Sequence, residues 1–222
     1  MLFKPLLNQQ KYFASNGHKV SHKKGQSFVT YSDSSNWVYS LTSGLVAVSY
    51  IFSSGQKRLL GYLQPGMTFG FADFKLGQDE GNIEYISLDT TESLRLPRNL
   101  FEEQVVKNQG FSKDYIDLLQ YNQLFLIERI IFQGEKGVYA RSIRWLLFMA
   151  KHFGKTKGKT CSIGVPLTQE TAANFMHVTR ESASTVLREL TRKGLITTRK
   201  KIITINNIEL LTKELETRTT MG

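Results

Sequence analysis

Between residues 179 and 190 the apolar side chains are spaced so that little but a short amphipathic helix fits. Ala183, Val186, Leu187 and Leu190 fall at i, i+3, i+4 and i+7 and make one face. Arg180, Glu181, Ser184 and Arg188 fall on the opposite face. Thr179 is a capping residue type at its start, and Gly194 supplies the stop after its last turn. Just upstream, Thr168 caps a second predicted helix, Gln169–Met176, whose Ala172 and Ala173 are small enough for a neighbouring helix to approach closely. Only Met176-His177-Val178 separates the two. A turn that tight needs a positive φ, and His177 stands where glycine often does. Two short helices joined in this way form a helix-turn-helix. Residues 195–205 then read as a hairpin with Arg199, Lys200 and Lys201 at its tip, which makes the unit a winged helix.

These side chains carry the chemistry of double-stranded DNA recognition. Arg180 can pair bidentately with guanine O6 and N7, and Glu181 can accept from cytosine N4. Ser184 lies one turn further, and Thr185 beside it is suited to a thymine methyl or to the backbone. Thr168, Thr179, Arg188, Arg192, Lys193, Arg199, Lys200 and Lys201 are the expected phosphate contacts, which position a protein without reading sequence. A plain exposed ion pair between Arg180 and Glu181 is the competing reading. Charge placement supports the first reading. The chain carries +10 overall, and residues 134–222 hold 16 basic against 7 acidic side chains, whereas residues 1–133 are nearly balanced. A basic patch of this kind supplies the phosphate attraction that dominates nucleic-acid affinity.

The first half has a different texture. From about residue 19 to 97, stretches rich in Val, Tyr, Phe, Leu and Ile (FVTY, WVYSL, LVAVSYIF, RLLGYL) alternate with turns at Gly25, Ser43-Gly44, Ser53-Ser54-Gly55, Pro65-Gly66 and Gly70. Evenly spaced short strands predict an antiparallel barrel or jelly-roll. Further strands are expected at 85–88 and 93–96, followed by a helix through Val106.

A long helix is expected over residues 112–132. Ile116, Leu119, Gln123, Leu126, Ile130 and Gln133 step by 3, 4, 3, 4, 3, the spacing of a coiled-coil seam, which points to a homodimer. Gln133-Gly134-Glu135-Lys136-Gly137 breaks the pattern and is the expected hinge. A helix over Val138–Phe153, a basic loop over 154–159 and a short strand over 161–165 follow. The polar tail beyond Glu214 is expected to fray. The fold class is therefore α+β: an N-terminal antiparallel β-roll (jelly-roll) over 1–110, a dimerisation helix and hinge over 111–136, and a winged helix-turn-helix over 137–222.

The single cysteine, Cys161, rules out an intramolecular disulfide and any cysteine-held iron–sulfur cluster. His18, His22, His152 and His177 are scattered, so no metal site and no metal-dependent enzyme of the cupin type is expected. There is no run of 18 apolar residues and no signal-peptide pattern, so the expected localisation is cytoplasmic, without membrane contact.

With these parts in order, the chain resembles the CRP/FNR family of bacterial transcription regulators. The resemblance runs through Lys24-Gly25-Gln26, residues 38–48, Gly55-Gln56-Lys57, residues 60–66 and Phe69-Gly70, and most specifically through residues 167–196. It implies a sensor roll, a dimerisation helix, base contacts from Arg180, Glu181 and Ser184 on a palindromic promoter site, and RNA polymerase as a partner. The family frequently has arginine where this chain has Thr185. Cyclic-nucleotide binders in the family carry Gly-Glu and then Arg-Ser after the roll glycine. Here Phe69-Gly70-Phe71-Ala72-Asp73-Phe74 and Asn82-Ile83-Glu84-Tyr85 stand instead, so no arginine meets a phosphate and cyclic AMP is not expected. What remains is a small organic effector in an aromatic-lined pocket of the roll and long helix, with Tyr62, Phe69, Phe71, Tyr85, Leu126 and Ile130 as candidates. No other cofactor is implied. The alternatives are that these aromatics are core and that the protein binds DNA without an effector or without sequence preference.

Overall fold

A computed structural model describes residues 3–28, 36–70 and 81–219. They divide into two units, Phe3–Asn122 and Gln123–Gly222, and the division falls inside one long helix. The expected boundaries at 110 and 136 bracket that helix.

The first unit begins with a helix, α1 (Leu7–Asn16), for which the sequence reading made no provision. Strands β1 (His18–His22), β2 (Trp37–Ser43), β3 (Val46–Ile51), β4 (Lys57–Leu63), β5 (Thr68–Phe69), β6 (Asn82–Ser87) and β7 (Thr91–Pro97) follow. Helix α2 (Arg98–Lys107) and the start of α3 (Gln109–Gln133) complete it. The strands make two antiparallel sheets, ordered β1-β7-β2-β5 and β4-β3-β6, the expected roll. The expected strand at 28–31 lies largely outside the described residues. Gly44 (φ 88°) makes the turn from β2 to β3. A Cβ there would come within 2.6 Å of Thr91 and 2.7 Å of the Thr90 carbonyl, so only glycine fits.

Strand alternation gives β2 two different jobs. Val38 packs outward with Leu96 against Phe13, Phe101 and Phe111 of the helices. Tyr39 and Leu41 face inward with Phe28, Val46, Phe69 and Tyr85. Each of these buried side chains is worth roughly 1.5–3 kcal/mol of transfer free energy. The start of α1 is tied down from far along the chain. Asp114 on α3 accepts from the Asn8 and Gln9 backbone N–H groups at 2.6 and 3.0 Å, serving donors that a first helical turn leaves without partners.

The second unit holds the rest of α3, then α4 (Val138–Phe153), β8 (Gly154–Lys157), β9 (Thr160–Ile163), α5 (Gln169–Met176), α6 (Arg180–Arg192), β10 (Ile196–Arg199), β11 (Ile202–Ile205) and α7 (Ile208–Thr219). Its sheet runs β10-β11-β9-β8. Two expectations are corrected here. The basic loop at 154–159 is an edge strand and a tight turn at Gly158, because β9 offers Lys155 and Lys157 ladder partners. The tail beyond Glu214 is helical through Thr219, because Leu211 and Leu215 bury a face that α4 covers.

Candidate nucleic-acid interface

The helix-turn-helix is built by caps at each end. Thr168 Oγ1 accepts from the Thr171 N–H at 3.0 Å and starts α5. His177 ends it in the left-handed region, φ 56° and ψ 49°, and its N–H returns to the Ala173 carbonyl. Thr179 Oγ1 accepts from the Ser182 N–H at 3.2 Å and starts α6 within two residues of that turn. Gly194 (φ 70°) closes α6, with the Leu195 N–H on the Leu190 carbonyl at 3.0 Å. The unit is anchored by Ala172, Phe175, Met176, Ala183 and Leu190, all buried.

Burial on α6 fixes which side faces outward. Ala183, Val186 and Leu190 are buried and Leu187 is partly so, while Arg180, Glu181, Thr185 and Arg188 are exposed and Ser184 is half-exposed. No ion pair joins Arg180 to Glu181 within 4 Å. Their charged ends are therefore open to a ligand. The exposed Arg192 extends the same helix.

Lys193, grouped with the phosphate contacts from sequence, has its ammonium engaged within the chain. It donates to Glu214 at 2.7 Å and to the Tyr139 hydroxyl at 2.9 Å, and Glu189 lies at 3.3 Å. The hydrogen bonds to Glu214 and Tyr139 hold its pKa above the ordinary lysine range. The sequence could not foresee this, since Glu214 lies on α7, a helix the sequence does not predict, at the edge of the tail expected to fray.

The wing is a two-residue hairpin turn, with Arg199 paired to Ile202 and Lys200 and Lys201 between them. Both lysines have positive φ, 48° and 67°. That is the type I′ arrangement, which matches strand twist and ordinarily uses Asn-Gly. All three basic residues are exposed, and the Lys201 carbonyl accepts from the Leu167 N–H at 2.6 Å, which ties the tip to the segment between β9 and α5.

Behind this surface the hinge residues are held by arginines. Arg141 donates to the Glu135 carbonyl at 3.0 Å and to the Met176 carbonyl at 3.4 Å, and Arg144 pairs with the Glu135 carboxylate. Gln133 donates to the Phe175 carbonyl at 3.3 Å, and Arg129, itself buried, lies 4.4 Å over the Phe175 ring. The end of α3 thus bonds directly to the first helix of the motif.

Along α3 the candidate seam residues Ile116, Leu119, Gln123, Leu126 and Ile130 are all exposed, Ile130 at 68%. Leu124, Ile127 and Ile131 widen the apolar surface. Among the effector candidates, Phe69 and Tyr85 are core, with ring centroids 5.1 Å apart. Tyr62 is buried on β4, and burial pushes its hydroxyl pKa up. Leu126 and Ile130 belong to the other unit, and Phe71 lies outside the described residues. Glu84 is paired with Lys57 at 2.8 Å. The sequence reading passed over Arg95, which the alternation of β7 puts on the inner face of the roll, its guanidinium 4.1 Å from the Trp37 ring. The only available signal was its odd-numbered place with Thr91 and Ser93. Among the described residues no group of three or more His, Cys, Asp or Glu side chains is placed to share a metal, and no helix is long and apolar enough to cross a membrane.

Comparison with known proteins supports the same assembly. Residues 140–214 match the Crp-like helix-turn-helix domain. The global nitrogen regulator of Synechococcus elongatus is 20% identical over 193 residues, 86% of this chain and 87% of its own. A CooA mutant from Carboxydothermus hydrogenoformans has the same fold, with a TM-score of 0.75 at 18% identity over 96% of each chain. FixK2 from Bradyrhizobium japonicum is similar at a TM-score of 0.72 and 16% identity, over 89% of this chain and 96% of its own. The roll, the long helix and the winged helix-turn-helix occur here in one chain, and the matched domain and named relative are those of regulators. Residues 140–214 thus carry a Crp-like helix-turn-helix domain, and over most of its length the chain is similar to transcription regulators of the CRP/FNR type.

Proposed function

We propose that this regulator binds a palindromic promoter site as a homodimer, reading bases through Arg180, Glu181, Ser184 and Thr185. The observation that carries the reading is the outward face of α6, where unpaired charged and hydroxyl side chains project from a helix whose other face is core. Thr168, Thr179, Arg188, Arg192, Arg199, Lys200 and Lys201 contact phosphates, and Lys193, paired with Glu214, is left out of that set. The heptad of Ile116, Leu119, Gln123, Leu126 and Ile130 pairs two copies, so that their α6 helices enter successive major grooves about 34 Å apart. A small organic molecule held by the roll biases the DNA-competent arrangement, and the bound dimer contacts RNA polymerase.

Fluorescence anisotropy on duplexes from the protein's own promoter region tests the reading. Arg180→Ala should cost about 1–3 kcal/mol per half-site and relax the preference at one base pair, while Arg188→Gln should weaken all sequences alike. Equal affinity for promoter and scrambled duplex at physiological salt would instead support a nonspecific binder.

A further inference from the structure

We infer that the pocket between α1 and the outer face of the sheet β1-β7-β2-β5 binds a small uncharged molecule, a carboxamide with an apolar body, through Gln10, Ser40 and the buried amide of Gln9. The inference goes beyond the reading of the roll as a sensor and does not rest on it, because this pocket lies on the side of the sheet away from the aromatic core.

Strand alternation builds the floor. Val38 packs toward the helices, so Ser40 and Thr42, two and four residues on, stand on the same outer face of β2. Leu94 of β7 lies across from Ser40 and closes one side. Gln10 and Ala14, one helical turn apart on α1, form the opposite wall. Phe3 and Pro5 ahead of the helix and the Pro65-Gly66 turn complete a pocket of about 470 Å³, a size that suits a small organic molecule. The turn is fixed against β2, since the Gly66 N–H donates to the Leu41 carbonyl at 2.7 Å and the Leu41 N–H to the Met67 carbonyl at 2.9 Å. Gly66 also leaves room at the rim, where a Cβ would come within 2.8 Å of Gln10 Nε2.

The chemistry of the lining selects the occupant. None of the side chains that line the pocket is ionisable, so a charged guest would give up its water with no opposite charge to meet. Phe3, Pro5, Ala14 and Leu94 suit an apolar body. Thr42 is already engaged, donating to the Glu92 carbonyl at 2.9 Å. The Gln10 amide and the Ser40 hydroxyl can each donate and accept. A third group lies beside the floor. Gln9 is fully buried, and its Oε1 accepts from Thr68 Oγ1 at 2.8 Å. Thr68 is the cross-strand partner of Ser40, which sets the Gln9 amide next to the Ser40 side of the pocket. Gln9 Nε2 is buried without an acceptor, where a native interior ordinarily supplies one. A carboxamide answers these groups together. Its carbonyl oxygen accepts from Gln9 and Ser40, and its N–H donates to Gln10 Oε1.

Calorimetry and thermal shift on the full-length protein test the site, with hexanamide, cyclohexanecarboxamide and 2-naphthamide each set against its carboxylate. At least one amide should bind saturably, raise the melting midpoint, and bind about tenfold or more tightly than its acid. Ala14→Phe fills the pocket from an exposed position and should abolish that binding while melting close to wild type. Gln10→Met keeps the length of a half-buried side chain and removes its amide, and should weaken the amide several-fold. Ser40→Ala should weaken it by a similar factor. No saturable binding of any amide, or equal binding of amide and acid, overturns the site. An amide that binds Ala14→Phe as it binds wild type sits elsewhere and also overturns it. Should Ala14→Phe fail to fold, Gln10→Met decides alone, and an unchanged affinity there overturns the site.

Discussion

The wing tip offers a test in which stability and DNA binding must move in opposite directions. Lys200 and Lys201 occupy a type I′ turn with φ of 48° and 67°, where a side-chain-bearing L-residue pays about 1–2 kcal/mol. Asparagine tolerates this region, and glycine enters it without steric cost, though glycine costs more entropy on folding. Lys200→Asn with Lys201→Gly should therefore stabilise the wing by about 1 kcal/mol net. In a unit of this size that raises the melting midpoint of its transition by roughly 4–8 °C. The backbone bond from Leu167 to the Lys201 carbonyl needs no side chain and should survive. The same change removes two cations from each wing, four from a dimer. At about 0.9 in the salt slope for each neutralised phosphate, the plot of log affinity against log salt should flatten by about 3–4. Lys200→Ala with Lys201→Ala is the control, since it removes the charges and keeps the β-carbons. It should show the flattened slope without the gain in midpoint. Differential scanning calorimetry and anisotropy titrations between 50 and about 200 mM salt suffice. If Asn-Gly fails to raise the midpoint while Ala-Ala leaves it unchanged, the strain argument is wrong. If the salt slope stays put, the wing does not lie on DNA.

Ile130→Glu should leave the subunit folded, because Ile130 is 68% exposed, yet raise the dimer dissociation constant about 100-fold or more, since two isoleucines lose roughly 1.5–3 kcal/mol each; an unchanged sedimentation profile would refute the seam. His177→Gly should stabilise the turn by up to about 1 kcal/mol, as φ 56° suits glycine, and urea denaturation measures it. Stability should also fall on acidification below the ordinary histidine value of 6.5. Burial holds the pKa of His152 down more than its 2.8 Å bond to Glu128 raises it, so the unfolded chain takes up the proton first. His152→Gln keeps a donor near Glu128 and should flatten the fall in midpoint between pH 6.5 and about 5.5, although His22 contributes its own share; an identical slope in the variant would count against it.

What the sequence determined by itself was mostly local. The bounds of α4 and α5, the left-handed place of His177, the stop at Gly194 and the two faces of α6 follow from spacing, caps and turn chemistry within a few residues. The strands of the roll were legible for the same reason, since alternation and glycine turns are short-range signals. The tertiary structure alone decided what depends on distant partners. Helix α1 has little amphipathic pattern of its own and is fixed by Asp114, 106 residues away. The last helix is held because Glu214 meets Lys193 and Tyr139 while Leu215 is buried, a return no local pattern announces. Lys193 looked free in sequence because charge says nothing of what lies opposite. Arg95 looked like any strand arginine, and only the pairing of β7 with β2 sets its guanidinium over the Trp37 ring. Local periodicity fixes which face of an element is apolar, but the partners of a charge are set by whichever segments the fold brings against it.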